Sequence, residues 1–492
     1  MSSDATNNMQ KQLDKIAILQ KCGQDEEAIN QLNTIITQFS GHPHPYFLLG
    51  ISLFNLEKYS EAIDLISRAI AINPKIAEYH TYLGIALCKV GKKALAKVRF
   101  KAAIELDSRQ TDAAFHLGDI LIDDGNPKDA VEILQKAVKI KPDFVEMWNN
   151  LGLCHKALKQ LQLAKECFQK AIELNNDHAD SHINLAMTLL IMGEYSRGWQ
   201  EYEWRFKRDS SPLCCPPPDG IAIWRGEPLA DKNLVIICEQ GFGDSLQFVR
   251  YIPILKKKCA KLLLITQNNL IPLLQAMPEV DLITNQNENL GHIDYYCPLL
   301  SIPHILNTTL DSIPKTTPYI NPIPDLSSQL QKKIGQNGLK VGLVWEGKPL
   351  FQNDPLRRRS TTLQDFAPLT SVANIKFFSL QKGPPAQQLE TPPQNMDIVD
   401  FDPQIFNFAD TAAIIVNLDL VITIDTATAH LSGAMGKATW ILLPFSPDWR
   451  WGLESDKTPW YPNSLMFRQS QPNQWQEPIL QMVSLLKKWP II

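Results

Sequence analysis

The sequence lacks the segments that carry proteins into or across a membrane. Its 492 residues contain no apolar run near the roughly 18 residues that span a bilayer. The N-terminal segment MSSDATNNMQKQLDK is polar and lacks the apolar core of a secretory signal. We therefore expect a cytoplasmic protein without a membrane span.

An excess of basic charge is also absent. The formal net charge is −4, and hydrophobic residues make up 44% of the chain, as in ordinary globular proteins. This balance argues against a general nucleic-acid binder, although local basic clusters can still hold a small anion. At about 150 residues per domain, the length predicts about three domains.

Paired cysteines and zinc-ligand patterns are missing as well. None of the nine cysteines forms a CxxC pair or has a histidine partner at zinc-ligand spacing. We expect no metal site and reduced, mostly buried thiols at Cys22, Cys88, Cys154, Cys167, Cys214, Cys215, Cys238, Cys259 and Cys297.

A period of 34 residues runs through the N-terminal part of the chain. Leucine–glycine pairs recur at this spacing and end at Gly50, Gly84, Gly118 and Gly152. Each pair is followed at fixed distances by an alanine, a bulky apolar residue and a second alanine. This spacing is typical of the tetratricopeptide repeat, in which small residues let paired helices approach closely. With a degenerate copy at each end, it predicts a solenoid of five to six repeats over residues 9–208.

The first helix of each pair is expected to line the concave face of a right-handed superhelix. Amides and imidazoles on these helices would either clamp an extended peptide backbone or form an ordinary solvated face. They are Asn149, Asn150, Asn184, His116, His155 and His182. Because a solenoid without a partner on this face is the less common case, we expect a protein partner there.

Aromatic residues crowd the last repeat, and prolines follow it. Trp199, Tyr202, Trp204 and Phe206 are too large for a free solenoid end and are expected to cap it against the next domain. The segment SPLCCPPPDG is neither helix nor central strand, because its prolines remove backbone donors. It predicts a linker at residues 209–222.

Short β-rich runs alternate with helical stretches beyond the linker, as in doubly wound domains. Predicted strands of a domain at 223–325 cover residues 234–238, 261–266, 281–284 and 293–297. Those of a domain at 336–492 cover residues 341–345, 376–380, 396–400, 418–424 and 438–443. The sequence thus predicts an α + α/β fold, a solenoid followed by two Rossmann-like domains facing a cleft. A ligand is expected at the carboxyl ends of the strands.

The loop EQGFGDS follows the first predicted strand. Gly241 and Gly243, beside Gln240, would let the backbone pass close to a ligand, but the third glycine of the dinucleotide fingerprint is missing. Asp244 has two open interpretations. As a helix N-cap it would be structural, worth about 1 kcal/mol. Facing the cleft, it could deprotonate an acceptor hydroxyl.

The segment DTATAH follows the apolar run at 418–424. Asp425, Thr426 and Thr428 supply turn and cap chemistry, and a helix beginning near Thr426 would direct its N–H groups at an anion. His430 lies one turn beyond Thr426 on the same face, so it is either a core histidine or a ligand contact.

Six segments, in order, carry a resemblance: QGFGDSLQFVRY, GLVWEGKP, NDPLRRRS, NFADTAA, DTATAH and LLPFSPDWRW. With the repeats, they resemble bacterial tetratricopeptide proteins whose C-terminal half is similar to family 9, heptosyltransferase-type glycosyltransferases. The resemblance implies a GT-B fold with a nucleotide-sugar donor on the C-terminal domain and the acceptor on the N-terminal one. It also implies inversion at the anomeric carbon without an essential metal or other cofactor.

The resemblance also implies residue roles. Asp244 is the candidate general base, and the donor sugar and diphosphate would contact Asp425, Thr426, Ala427 and His430. The basic loop departs from the family pattern, because Gln352 stands where relatives commonly have histidine and three arginines precede the serine. Which of the three acts is therefore open.

Charge chemistry adds further candidates. A departing nucleoside diphosphate must be met by cations and N–H dipoles, for which the chain offers Lys348, Arg357, Arg358, Arg359 and the helix start at Thr426. Gln381 and Lys382 follow another strand and are candidates for the nucleoside. Trp449, Arg450 and Trp451 would either wall the donor pocket or pack in the core. The DxD-like Asp400-Phe-Asp402 is short and is taken as accidental.

Three functions fit these observations. The favoured one is a glycosyltransferase that modifies a protein acceptor recruited by the solenoid. The second has a saccharide or lipid-linked glycan as acceptor, with the solenoid only docking a complex. The third is an interaction scaffold whose transferase half is inactive.

Overall fold

The structure, a computed structural model, describes residues 3–208, 213–347 and 359–489, with side chains from residue 8 onward. The chain divides into two compact units, Met1–Asp177 and His178–Ile492. The first is all helical, and the second combines one further helix pair with two parallel sheets. This arrangement is the predicted α + α/β class.

Paired helices make up the first unit. They are α1 (Ser3–Lys21), α2 (Asp25–Gln38), α3 (Pro43–Asn55), α4 (Tyr59–Ile72), α5 (Ala77–Lys89), α6 (Lys93–Leu106), α7 (Thr111–Asp123), α8 (Pro127–Ile140), α9 (Val145–Ala157) and α10 (Leu161–Leu174). Each second helix packs on the first of its pair, and the first helices of neighbouring repeats also touch, α3 on α5, α5 on α7 and α7 on α9.

The glycines of the 34-residue period lie where the paired helices come closest. A Cβ atom added at Gly84 would fall 2.5 Å from the Phe100 ring, and one at Gly118 would fall 2.7 Å from Leu134. Gly50 and Gly152 meet their partner helices in the same way. The 34-residue spacing of the glycines therefore follows from packing, because each glycine leaves room for a bulky buried side chain of the paired helix.

The polar residues predicted on the first helices are mostly enclosed. Asn149, Asn150 and His155 are buried within α9, and the His155 ring bonds Gln160. His116 is half-buried and stacks on Phe100. These side chains form neither an open solvated face nor an exposed row of amides. His182 and Asn184 belong to the second unit.

The second unit opens with α11 (Ala179–Ile191), α12 (Tyr195–Tyr202) and a 3-10 turn at Glu203–Lys207. Trp199 of α12 is buried among aromatic rings, 5.3 Å from Trp449 and 6.1 Å from Phe248 between centroids. Its indole N–H donates to the Thr308 carbonyl at 3.1 Å. This helix pair therefore shares a core with the sheets that follow it.

The first sheet is parallel throughout. Its strands are β1 (Ala222–Ile223), β2 (Asn233–Ile237), β3 (Lys261–Ile265), β4 (Leu282–Thr284) and β5 (Tyr295–Pro298), in the order β1-β5-β2-β3-β4. The strand order reverses between β2 and β5, which opens a crevice at their carboxyl ends. The helices of this part are α13 (Phe242–Phe248), α14 (Ile252–Lys256), α15 (Ile271–Leu274) and α16 (Ile302–Ile305).

The second sheet is parallel and larger. Its strands are β6 (Leu339–Val344), β7 (Ile375–Ser379), β8 (Ile398–Asp400), β9 (Leu420–Ile424), β10 (Thr439–Leu443) and β11 (Ser464–Arg468), in the order β11-β10-β9-β6-β7-β8. Counted from β6, this is the 3-2-1-4-5-6 order of Rossmann folds, with its switch point between β6 and β9. The helices are α17 (Pro324–Ile334), α18 (Phe408–Ile415), α19 (Ala427–Ala434) and α20 (Gln476–Leu486).

Strands stand at all nine predicted positions, with ends shifted by up to two residues. The sequence prediction omitted β1 and β11, which both lie at sheet edges. In the part of the chain that the structure describes, no helix combines the length and apolar character needed to cross a bilayer.

Candidate functional site

Two helices that begin at the carboxyl ends of central strands pack against each other. One is α13, which follows β2, and the other is α19, which follows β9 at the switch point of the second sheet. The contact is tight, since a Cβ atom added at Gly243 would lie 2.7 Å from Cδ2 of His430. The GxGD and DTATAH segments, 180 residues apart in the sequence, are thereby brought together.

Asp244 occupies the third position of α13, and Gly241 is the N-cap. Its Oδ2 accepts a hydrogen bond from the Gly241 N–H at 3.0 Å, and its Oδ1 accepts one from Nη2 of Arg450. The predicted N-cap role is therefore wrong in position, because Asp244 reaches back to the cap residue rather than occupying that place. The side chain keeps 17% of its surface exposed, so the same carboxylate supports the helix start and remains partly accessible to solvent.

Arg450 links this carboxylate to the second sheet. It lies in a 3-10 turn at Trp449–Trp451 that Asp448 caps. Its Nε donates to Oε1 of Gln247 at 2.6 Å, and its Nη1 donates to Oδ1 of Asp448 at 2.9 Å. Burial alone would lower the pKa of Arg450, but Asp448 and Asp244 raise it above its ordinary value. The guanidinium is thus a fixed positive charge.

The first turn of α19 has no side-chain cap. Thr426 stands at the N-cap position with extended backbone, but it makes no capping hydrogen bond, and its hydroxyl lies 3.0 Å from that of Thr423 instead. The expected cap chemistry of Thr426 is therefore wrong. By contrast, Asn407 caps α18 through two backbone N–H groups. The start of α19, where Thr426, Ala427 and Thr428 are half-exposed, keeps N–H groups for an anion.

Asp425 is a buried carboxyl at the end of β9. Burial raises its pKa to about 6, and the neighbouring charge of Asp448 acts in the same direction. Arg359 and Arg450 oppose the shift only in part. The Asp425 carboxyl therefore keeps its proton to a higher pH than an exposed aspartate does.

His430 is also buried, one turn into α19. Its Nδ1 lies 2.8 Å from the Tyr461 hydroxyl, and its ring stacks on Trp451 with centroids 5.2 Å apart. Burial and the guanidiniums of Arg450 and Arg250 hold the pKa of His430 well below its ordinary value. The ring is neutral at physiological pH, so it can contact a ligand as a hydrogen-bonding group but not as a cation.

Gln381 supports the other side of the switch point. Its Oε1 accepts from the backbone N–H groups of Trp345 and Glu346 at 3.0 and 2.9 Å, and its Nε2 donates to the Glu346 carbonyl. This buried amide holds the loop after β6 and leaves little for a nucleoside. Lys382 is exposed and pairs with Asp402 at 2.9 Å.

The basic loop is described only at its end. Arg359 approaches the loop after β6, where a Cβ atom on Gly347 would lie 3.3 Å from its Nε. The other predicted phosphate contacts, Lys348, Arg357 and Arg358, lie outside the described residues. Arg359 is therefore the member of this set for which the structure gives a place.

A buried ion pair fills the switch-point crevice of the first sheet. Glu239, which follows β2 and is fully buried, accepts from Nε of Arg205 at 2.8 Å and from the Leu300 N–H at 2.8 Å. Arg205 comes from the 3-10 turn after α12, and its Nη2 also donates to Ser301 at 2.7 Å. Gln240, at φ 58°, bonds the Tyr202 hydroxyl. The side chains after the last helix pair thus occupy the place where a Rossmann-like domain takes a ligand.

No local sequence pattern indicates several of the side chains that form this site. Gln247 and Asp448, the partners of Arg450, and the pair Arg205 and Glu239 were not candidates. Of the two interpretations of the DWRW segment, core packing holds for Trp449 and Trp451, which are both buried. Partners separated by 206 residues, as in Asp244 and Arg450, follow from the fold and not from a local pattern. No group of three or more histidine, cysteine or acidic side chains in the described ranges is arranged to hold a metal ion.

Comparison with known families identifies the repeats. Profiles of the tetratricopeptide repeat match residues 43–76, 91–152, 145–178 and 167–200. The crystal structure of YrrB, a tetratricopeptide protein with an unusual peptide-binding site, aligns with 36% of this chain and 90% of its own at 20% identity, with a TM-score of 0.34. The N-terminal part therefore carries tetratricopeptide repeats.

Curated relatives extend the likeness beyond the repeats. Protein FlbA of Caulobacter vibrioides is 26% identical over 472 residues, which are 89% of this chain and 72% of that protein. The UDP-N-acetylglucosamine–peptide N-acetylglucosaminyltransferase of Giardia intestinalis is 25% identical over 148 residues, 30% of this chain and 10% of that enzyme. The human protein O-mannosyl-transferase TMTC1 matches 30% of this chain and 17% of its own length at 26% identity. Distant relatives thus include glycosyltransferases.

Proposed function

We propose that the chain is a cytoplasmic, inverting glycosyltransferase of the GT-B type, which transfers a sugar from a nucleotide-sugar donor to a protein acceptor recruited by its repeats. The observation that carries this proposal is the meeting of α13 and α19. An accessible carboxylate, Asp244, stands beside the uncapped start of a helix at the switch point of a Rossmann-ordered sheet.

The donor diphosphate fits the start of α19. The first N–H groups of α19, which no side chain of the described residues caps, and the positive end of the helix dipole favour an anion there. The switch point is also where open α/β sheets bind ligands. Arg359 lies near Asp425 at this edge. Lys348, Arg357 and Arg358 remain candidates for the same charge. These cations and N–H groups would meet the charge of the leaving group without a metal ion.

The proposed step is a single displacement. An acceptor hydroxyl oxygen attacks the anomeric carbon and forms the new C–O bond, while the bond from that carbon to the diphosphate oxygen breaks. Asp244 takes the hydroxyl proton, and the nucleoside diphosphate leaves with the bonding electrons. Because attack and departure occur on opposite faces, the anomeric configuration inverts. Neutral His430 and buried Asp425 would contact the donor.

The first sheet favours a protein acceptor over a small glycan. Its switch-point crevice holds the Arg205–Glu239 pair, so a saccharide has no place at this part of the acceptor-side domain. The acceptor hydroxyl must then reach Asp244 from outside the sheet edge, as a loop of a protein can. The tetratricopeptide repeats provide a separate surface for holding such a partner.

A transfer assay tests the function. The purified full chain is incubated with a panel of radiolabelled nucleotide sugars and a cell lysate as acceptor, and the products are separated into protein and glycan fractions. We expect label in protein bands with one donor, undiminished by a metal chelator. Label confined to the glycan fraction would support the saccharide acceptor instead. If no donor is transferred or hydrolysed, and no nucleotide raises the melting temperature, the chain is an interaction scaffold with an inactive transferase half.

Two aspartate variants serve as probe and control. Asp244→Asn should lower transfer by about 10²- to 10⁴-fold, as for loss of a general base, while donor binding stays within a few-fold. Asp402→Asn removes a half-buried carboxylate that pairs with Lys382 and should transfer at the wild-type rate. A fully active Asp244→Asn enzyme would show that this carboxylate only supports the helix.

A further inference from the structure

Arg450 is bound by side chains from elements that follow both sheets. Its backbone and Asp448 belong to the turn after β10, whereas Gln247 and Asp244 lie on α13 after β2. The guanidinium side chain is 10% exposed. A buried arginine with three side-chain partners in fixed directions has little freedom to turn toward a substrate.

The contact is maintained at a cost to the helix. Oε1 of Gln247 accepts from Arg450, and the Nε2 of the same buried amide has no hydrogen-bond partner among the described residues. A buried hydrogen-bond donor without a partner is unfavourable. The Gln247 amide is therefore oriented by its hydrogen bond with Arg450 and not by hydrogen bonds within α13.

The charges around Asp244 differ in sign and effect. Burial raises the pKa of this carboxyl and Asp448 acts in the same direction, while the Arg450 guanidinium and the Gly241 N–H oppose them. The Tyr202 hydroxyl faces the carboxyl from α12, with its own pKa raised to about 12 by burial and by Asp244. His430 of α19 is neutral. Arg450 is thus the cation paired with the candidate base.

We propose that Arg450 is a positioning residue that keeps the Asp244 carboxylate ionised and fixes its orientation. An arginine that follows the second sheet would then set the pH range in which a carboxylate that follows the first sheet acts as the base. This inference rests on the proposed transfer reaction. Gln247 acts with it by fixing the guanidinium plane. Oδ2 of Asp244 accepts from the Gly241 N–H and Oδ1 accepts from Arg450, and a carboxylate has about four lone-pair positions with which to accept from an acceptor hydroxyl as well.

The test is the pH profile of transfer. Removing the positive charge in Arg450→Gln should raise the acidic limb of the kcat/KM profile by about one pH unit or more, since an opposite charge at hydrogen-bond distance shifts a carboxyl by roughly that amount. The loss of transfer should therefore be greater on the acidic limb than on the alkaline plateau, by up to about tenfold for a shift of one unit. Arg450→Lys keeps the charge but not the planar contacts, so its limb should lie between the two.

Arg250 provides a matched control. It is another buried arginine of the first sheet's side, and its guanidinium donates to the Trp460 carbonyl, the Tyr319 hydroxyl and the Gln247 carbonyl at 2.8–2.9 Å. None of these partners is a carboxylate. Arg250→Gln should lower the stability of the protein. It should lower the transfer rate by the same factor at every pH, so the acidic limb of its profile should not move.

The outcomes separate the two proposals. Absence of transfer by the wild-type chain contradicts the transfer function itself. Wild-type transfer with an unmoved limb in both Arg450 variants, or an equal shift in Arg250→Gln, contradicts the role of Arg450 alone. If Arg450→Gln does not fold, the limb of Arg450→Lys decides: a shift supports the inference and an unmoved limb overturns it.

Discussion

At the scale of single residues, the site combines one buried and two half-buried carboxyls with a small number of fixed cations. Asp244, Asp425 and Asp448 lie around Arg450, and Arg359 adds charge from the basic loop. Removing charged groups from water is unfavourable, and a shared cation offsets only part of that cost. Such an arrangement lowers stability, which is typical of sites built to bind a charged ligand.

Asp425 provides the first prediction. Its pKa is about 6 in the folded chain, above the roughly 3.9 of an unfolded one. The folded state therefore holds the proton more tightly, and stability is lost as pH rises from about 4, where the unfolded carboxyl ionises, to about 6, where the folded one does. Asp425→Asn should be more stable than wild type at pH 8, and this gain should be smaller by about 2 kcal/mol at pH 4.5. Chemical denaturation at both pH values measures the difference.

An exposed carboxylate supplies the comparison for Asp425. Asp397→Asn removes the same charge from the surface, so its effect on the free energy of unfolding should be small at both pH values. If the gain from Asp425→Asn does not grow between pH 4.5 and pH 8, the proposed burial cost of this group is wrong.

Arg359 provides the second prediction, which concerns the three arginines that the sequence could not separate. Arg359→Gln should weaken binding of the donor's nucleoside diphosphate about tenfold, as for loss of one charge-assisted hydrogen bond of about 1.5 kcal/mol. The neighbours Arg357→Gln and Arg358→Gln are matched changes in the same loop. Calorimetry of all three, at low and high salt, shows whether the effect belongs to one position or to the loop's total charge.

At the scale of elements, the site depends on how closely two helices approach. Position 243 has room only for glycine, because His430 stands 2.7 Å from the place of a Cβ atom and is held by Tyr461. Gly243→Ala should force α13 away from α19, lower the free energy of unfolding by about 1–3 kcal/mol and reduce transfer. Thermal unfolding and the transfer assay measure both.

Gly241→Ala is the matched control for that change. At Gly241 the φ angle is −90°, and an added Cβ atom would meet only Oδ2 of Asp244 at 3.2 Å. Its cost should be well below that of Gly243→Ala. If both substitutions lower the free energy of unfolding equally, the close contact between Gly243 and His430 is not the cause of the loss.

The elements themselves were largely predictable, because their signals are local. Glycines 34 residues apart indicate helix contacts, and apolar β-branched runs indicate central strands. The two omitted strands carry weaker signals: β1 has two residues, and β11 begins and ends with Ser464 and Arg468. The partner of the Thr426 hydroxyl was not predictable, since Thr423 lies on the preceding strand and competes with the helix N–H groups.

At the scale of the molecule, helical repeats continue past the boundary between the two units. Profiles of the repeat extend to residue 200, yet α11 and α12 share their core with the sheets. Trp199 and Arg205 place side chains of this helical segment beside Phe248 and Glu239. The last helix pair therefore shares one hydrophobic core with the α/β half that follows it.

Two truncations test this assignment. A chain beginning at His178 keeps α11 and α12 and should fold and bind the nucleotide donor with wild-type affinity. It should lose most transfer to protein, because the first unit is the proposed recruiting surface.

A chain beginning at residue 209 lacks Arg205, which leaves the Glu239 carboxylate buried without its cation, at a cost of about 3–5 kcal/mol. It also uncovers Trp449. Its melting temperature should lie at least about 5 °C below that of the longer fragment. Equal melting temperatures would contradict the shared core, and undiminished protein transfer by the fragment from His178 would contradict recruitment by the repeats.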